Sequence, residues 1–160
     1  MKKILILVSL AVASVLFVRG VTEEQDLRKT ECNKVTVYQA LKNLNVKYID
    51  VVYAQVMLES GELSSKVFRL NNNMLGMRQP KVRETTSIGN TNGYATYCDW
   101  YSCLEDYALY QQNVIEDRQM TKKQYIAYLS KHYAQDPQYK TKIMRKMRDF
   151  RIDSLSLASN

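Results

Sequence analysis

Residues 51–59 constrain this chain more than any other stretch. Val51, Val52, Ala54, Val56, Met57 and Leu58 are too apolar for a surface helix, yet the run ends on the carboxylate of Glu59. A helix that is hydrophobic on every side is buried, so the fold must wrap other elements around it. Asp50 is placed to cap this helix and Ser60-Gly61 to end it. A carboxylate in such a setting is costly unless it is neutral, paired or facing a cleft. Glu59 therefore reads either as a last-turn glutamate that bends to solvent or as an acid whose desolvation raises its pKa. The second is what a general acid working near neutral pH requires.

The 160 residues, 46% of them hydrophobic, with only 5 Gly and 2 Pro, fit one packed domain rather than a linker array or a disordered chain. Residues 36–44 read as a short amphipathic helix capped by Thr36 and stopped by Asn43 and Asn45. Residues 64–70 read as another, before a turn at Asn71-Asn72-Asn73 and Gly76. Between Lys81 and Tyr97 the pattern turns extended: residues 81–87 and 94–97 flank the turn-rich 89–93 and predict a small hairpin. Helices return at 100–112, at 122–133 after Thr121, and at 137–150 after Asp136. The sum is an α+β arrangement, mostly α. The domain is expected over 35–152, between a flexible segment at 21–34 and a loose tail at 153–160. Twelve Tyr against three Phe and one Trp point to a groove for a polar ligand, because a tyrosine ring keeps one end wet.

The first twenty residues read as a secretory signal peptide: Lys2 and Lys3, an apolar run at 4–18, then Arg19-Gly20. Cleavage after Gly20 or after Ala13 fits, with an uncleaved anchor as the alternative, although the run is shorter than the roughly 20 residues of a spanning helix. Losing Lys2, Lys3 and Arg19 lowers the formal net charge from +7 to +4. The chain is then expected outside the cytoplasm, in the periplasm or envelope or released, with no stable membrane span. Mild basicity suits an anionic partner or serves solubility alone. Lys140, Lys142, Arg145, Lys146, Arg148 and Arg151 interleave with Ile143, Met144, Met147 and Phe150 at helical spacing. This fits an amphipathic helix with a solvated basic face better than a nucleic-acid patch, so no nucleic acid is expected and the protein is expected to be a monomer. Cys98 and Cys103 would meet across a helix start capped by Asp99, either as two thiols or as a disulfide. One His and scattered Cys offer no metal-ligand spacing, and there is no glycine-rich phosphate loop, so no metal and no cofactor are expected.

Four blocks carry a resemblance. The segment Ala54-Gln55-Val56-Met57-Leu58-Glu59-Ser60-Gly61, with Ser65 four residues on, is similar to the catalytic-helix motif of the bacterial glucosaminidase family, the flagellar-type and autolysin-type peptidoglycan hydrolases of glycoside hydrolase family 73. Asn72-Asn73-Met74-Leu75-Gly76-Met77-Arg78 resembles that family's Asn-Asn-x-Phe-Gly-Ile-Lys stretch. Tyr94-Ala95-Thr96-Tyr97 with Trp100, Cys103 and Asp106-Tyr107 resembles its Tyr-x-Ser-x-x-x-Ser-x-x-Asp-Tyr segment. Tyr133-Ala134-Gln135-Asp136-Pro137-Gln138-Tyr139 resembles its Tyr-Ala-x-Asp-Pro-x-Tyr. The blocks stand in family order over about residues 35 to 150. Glu62 and Leu63 replace a common Trp-Gly, Leu75 a Phe, Arg78 a Lys and Cys103 a Ser.

The resemblance implies a lysozyme-like helical domain with a small β-hairpin lobe beside an active-site cleft. It implies an endo-β-N-acetylglucosaminidase acting on the β-1,4 bonds of peptidoglycan. Glu59 would protonate the leaving oxygen as oxocarbenium-like charge builds on the sugar. A second group must stabilise that charge or activate water. Glu84 is expected to reach across the cleft from the hairpin; Asp99 is better explained as a cap, and Glu62 as a neighbour whose charge would raise the pKa of Glu59. The substrate's own N-acetyl group is a further possibility. Tyr94, Tyr97, Asn72, Asn73, Gln55 and Trp100 are expected to bind sugar. The rival readings are a muramidase or lytic transglycosylase on a similar fold, and a catalytically inactive glycan-binding or envelope-assembly protein.

Overall fold

A computed structural model describes residues 27–113 and 118–158. The expected signal peptide at 1–20 lies outside them. In chain order the elements are α1 (Lys34–Asn43), α2 (Ile49–Glu59), α3 (Lys66–Asn71), β1 (Gly89–Thr91), β2 (Tyr94–Thr96), α4 (Trp100–Gln111), α5 (Lys122–His132) and α6 (Tyr139–Ala158). The expected α+β class, mostly helical with one small antiparallel hairpin, is what forms.

The apolar helix is the axis of the molecule. Every residue of α2 from Val51 to Met57 is buried, with α6 packed along it and α1 also against it. Leu41, Met74, Leu75, Leu104, Leu129 and Ile143 bring the other elements into one core around it. Phe150 of α6 sits against Tyr53 of α2 and Tyr38 of α1, with ring centroids 4.4 and 5.2 Å away.

Helix starts differ from expectation where two residues compete for the cap. Asn33, not Thr36, caps α1: its side chain accepts from the amides of Val35 and Thr36, while the Thr36 hydroxyl accepts from the Asn33 amide, a reciprocal box. Asp50 does not cap α2. The chain enters from Tyr48 in the left-handed region (φ 56°), and Asp50 lies within the first turn, 2.8 Å from Lys122. Ser65 caps α3, and Asp99 and Thr121 cap α4 and α5 as expected. Of the tail expected to be loose from residue 153, residues 153–158 continue α6 to Ala158; the stretch 151–158 contains no Gly or Pro to stop it. The described part of the segment expected to be flexible is docked, with Leu27 in the core and Arg28 paired to Glu105 at 2.5 Å.

The hairpin is shorter than predicted and shifted. Gly89–Thr91 pairs with Tyr94–Thr96 around Asn92 and Gly93, whose φ values of 53° and 84° close a two-residue turn. Residues 81–87 form no strand; their side chains bond elsewhere, the Thr86 hydroxyl to the Ser102 carbonyl at 2.6 Å and Arg83 to Asp106. The three cysteines are free thiols, Cys98 exposed and Cys103 buried. Burial pushes the Cys32 and Cys103 thiols up to about 12.

Candidate active site

Glu59 is the last residue of α2, and the turn that follows carries the chain away from it. Buried Ser60 knits this turn: its carbonyl accepts from the amides of Ser64 and Ser65 at 2.9 and 2.7 Å, and its hydroxyl from that of Leu63. Gly61, Glu62 and Leu63 all take positive φ, at 55°, 56° and 66°. Leu63 holds a conformation that costs a non-glycine residue roughly 1 kcal/mol. Glu62 is exposed, 2.8 Å from Lys34 and bonded also to Lys146. Burial alone would raise its pKa, but these two ammonium groups hold it low. Glu62 is thus spent on α1 and α6, and it is not the neighbour that raises the pKa of Glu59.

That rise has another origin. The Glu59 carboxyl is half-buried and its pKa lies above the ordinary glutamate range, chiefly through desolvation, with the nearby Tyr139 hydroxyl pulling part of the rise back. A cavity of about 810 Å³ opens beside it, lined by residues 65–67, 73, 75–78 and 131–135, with Arg83, Tyr94 and Tyr110. A second hollow of about 400 Å³ shares Glu59, Tyr133, Ala134 and Gln135 with the first and adds Leu58, Asp136, Tyr139 and Lys142. Glu59 stands where the two meet. Gly76 has a φ of +64°, a conformation that favours glycine. A Cβ there would stand 3.9 Å from the Tyr94 ring and 4.0 Å from Glu59 Oε2. The acid and the ring face one another across this one bare residue.

Behind the acid lies a polar chain inside the core. Gln55, one turn earlier on α2, is 0% exposed. Its Oε1 accepts from the Tyr107 hydroxyl at 2.5 Å, and that hydroxyl also contacts Tyr125. The buried Tyr139 hydroxyl stands between this chain and the acid, close enough to both Gln55 and the Glu59 carboxyl to interact with each.

Of the residues expected to bind sugar, Tyr94 lines the cavity and keeps an exposed face. The others are built into the frame. Tyr97 is 2% exposed and donates its hydroxyl to Asp106 at 2.7 Å. Trp100 is buried and gives its Nε1 hydrogen to the Thr30 carbonyl. Gln55 is internal. Asn72 ties the end of α3 to the carbonyls of Tyr97 and Cys98. Asn73 borders the cavity, but it is 1% exposed and its amide is consumed by Met77 and Ala95. Glu84 is exposed and absent from the lining; its neighbour Arg83 takes the place at the cavity. Half of the twelve tyrosines are buried, among them Tyr53, Tyr101, Tyr107 and Tyr125, while Tyr94, Tyr110 and Tyr133 line the cavity, so the excess of Tyr serves both core and groove.

Sequence reasoning missed Lys66, Arg78, Tyr110, Lys131, His132, Tyr133 and Gln135 as lining residues. The signal for part of this set was present, since Tyr133 opens the fourth family-like block. Among the described residues no group of three or more His, Cys, Asp or Glu could hold a metal ion, and no helix is long and apolar enough to cross a membrane.

The model of the family described as mannosyl-glycoprotein endo-beta-N-acetylglucosaminidase matches residues 34–151. Among solved structures, the fold is similar to that of the catalytic domain of the autolysin Auto from Listeria monocytogenes. The likeness has a TM-score of 0.50 at 20% identity and covers 80% of this chain and 84% of that one. No curated protein matches.

Proposed function

The chain belongs to the glucosaminidase family, the peptidoglycan hydrolases of glycoside hydrolase family 73. From that premise we propose that it is an exported endo-β-N-acetylglucosaminidase that cuts cell-wall glycan with Glu59 as general acid. The observation that carries the reading is the position of this one carboxyl at the junction of two hollows, half-buried and held toward its neutral form. A glycan lying through both hollows has its bond over the acid. Glu59 then protonates the bridging oxygen as that bond breaks, and the sugar left behind develops oxocarbenium character. The burial that raises the pKa of Glu59 favours its proton-bearing form, as a general acid requires. Tyr94, across Gly76, offers a ring face for a sugar.

For the second role, Glu59 is the only carboxylate lining the first cavity among the described residues, and the second hollow adds only Asp136, which is paired with Lys142 at 2.5 Å. This favours the substrate's N-acetyl group as the internal nucleophile over Glu84. Export rests on residues 1–20.

A zymogram on purified cell wall tests the reading. Wild type should clear the wall, Glu59→Gln should lose at least about 10²-fold in rate, and Glu84→Gln should lose far less. A Glu84→Gln loss equal to that of Glu59→Gln would give Glu84 the second role. N-acetylglucosamine at the new reducing ends is expected. Anhydro-muramic ends would assign a lytic transglycosylase, and well-folded protein that binds but never clears would assign a binding module.

A further inference from the structure

The first cavity is far more cationic than the chain that builds it. Lys66, Arg78, Arg83 and Lys131 line it against the single carboxyl of Glu59, whereas the whole sequence has 23 Lys and Arg to 16 Asp and Glu. At that ratio four bases would bring roughly three acids, so basicity elsewhere does not account for the lining. Arg83 is committed to buried Asp106, with contacts of 2.6 and 3.1 Å. Lys66, Arg78 and Lys131 are exposed, and none is among the ion pairs of the described residues. They come from three separate places: the first turn of α3, the segment after Gly76, and the last turn of α5.

A neutral polymer of N-acetylglucosamine offers such a set hydrogen-bond acceptors but no opposite charge. Peptidoglycan differs from it in one chemical respect: alternate sugars carry a lactyl ether, and its carboxyl bears a short peptide with free carboxylates. At about 810 Å³ the cavity is near the top of the roughly 300–1,000 Å³ range of small-ligand pockets, which leaves room for more than the sugar pair at the bond. We propose that Lys66, Arg78 and Lys131 recognise the carboxylates hung from the muramic sugars beside the scissile bond, so that the cleft selects anionic, stem-bearing glycan over neutral glycan. This rests on the glycan-cleaving reading above and names what the same site reads besides sugar.

Binding is measured with the Glu59→Gln protein, so that no bond is cut, on three probes: stem-bearing uncross-linked glycan, the same glycan stripped of stems by an amidase, and a chitooligosaccharide. Stem-bearing glycan should bind about tenfold tighter than chitooligosaccharide at low ionic strength, and the preference should shrink as salt screens it. The combined variant Lys66→Gln, Arg78→Gln, Lys131→Gln should lose about tenfold more affinity for stem-bearing glycan than for chitooligosaccharide. A charge-matched variant outside the cavity, Lys123→Gln, Lys140→Gln, Arg148→Gln, should keep the preference. If stripped glycan, whose lactyl carboxylates the amidase has freed, binds as tightly as stem-bearing glycan, any carboxylate beside the bond satisfies the site; if it falls to the level of chitooligosaccharide, the carboxylates of the stem peptide are the groups read. Equal affinity for all three probes, or an equal loss from both triple variants, overturns the proposal. Failure of wild type to clear cell wall would instead overturn the hydrolase reading and leave this binding result standing.

Discussion

A half-buried carboxyl at the end of Glu59's helix is a burden on the folded chain at neutral pH. Its folded pKa is raised, while in the unfolded chain it titrates near the ordinary value of about 4.3. Below that value both states hold the proton and nothing is lost. As pH climbs toward the raised folded value, the unfolded state gives up a proton that the folded state keeps, so stability falls. Glu59→Gln should therefore melt higher than wild type at pH 7 to 8, and the two should converge below about pH 4. Thermal unfolding followed by circular dichroism across that range checks it, and a lower melting temperature for the variant at pH 8 would refute the penalty. This residue was legible because six apolar neighbours betrayed its burial. Tyr97, Asn73 and Gln55 suggested a ligand by their polar tips, but sequence does not show the protein partners those tips also have: Asp106 for the Tyr97 hydroxyl, Met77 and Ala95 for the Asn73 amide, and Tyr107 for the Gln55 oxygen.

At the scale of elements, the piece that sequence placed least well is the segment before the hairpin. Residues 81–87 have strand-like composition, yet the tight Asn92-Gly93 turn sets a hairpin whose partner for Tyr94–Thr96 is Gly89–Thr91. The earlier residues are fixed by side chains instead. Asp106 of α4, fully buried, accepts both nitrogens of Arg83 and the Tyr97 hydroxyl. One carboxylate thus ties together the segment before the hairpin, the residue after it and the helix beneath. Asp106→Ala leaves a guanidinium with little solvent and no partner of this kind, and should cost about 3–5 kcal/mol. Urea denaturation would measure it; a loss under about 1 kcal/mol would mean the tie contributes no more than a surface pair.

For the whole molecule, the late helix completes what the early one begins. The amphipathic pattern of α6 was visible in Ile143, Met147 and Phe150, but that its partner is α2, some eighty residues earlier, was not. A helical face announces that it will be covered and does not say by what. Glu62 adds a further brace, holding Lys34 just inside α1 and Lys146 of α6. Ile143 of α6 is buried in the core. Ile143→Ala should lower stability by about 2–5 kcal/mol, read as a lower urea midpoint at unchanged slope. An unchanged midpoint would show that α6 is not part of the cooperative core. The meeting of two hollows at Glu59 has its own consequence. A strand gripped on both sides of the cut is held like thread under a needle, whereas a short fragment fills only one side and slips free. Digestion should stall on a limit set of oligomers rather than run down to single sugars.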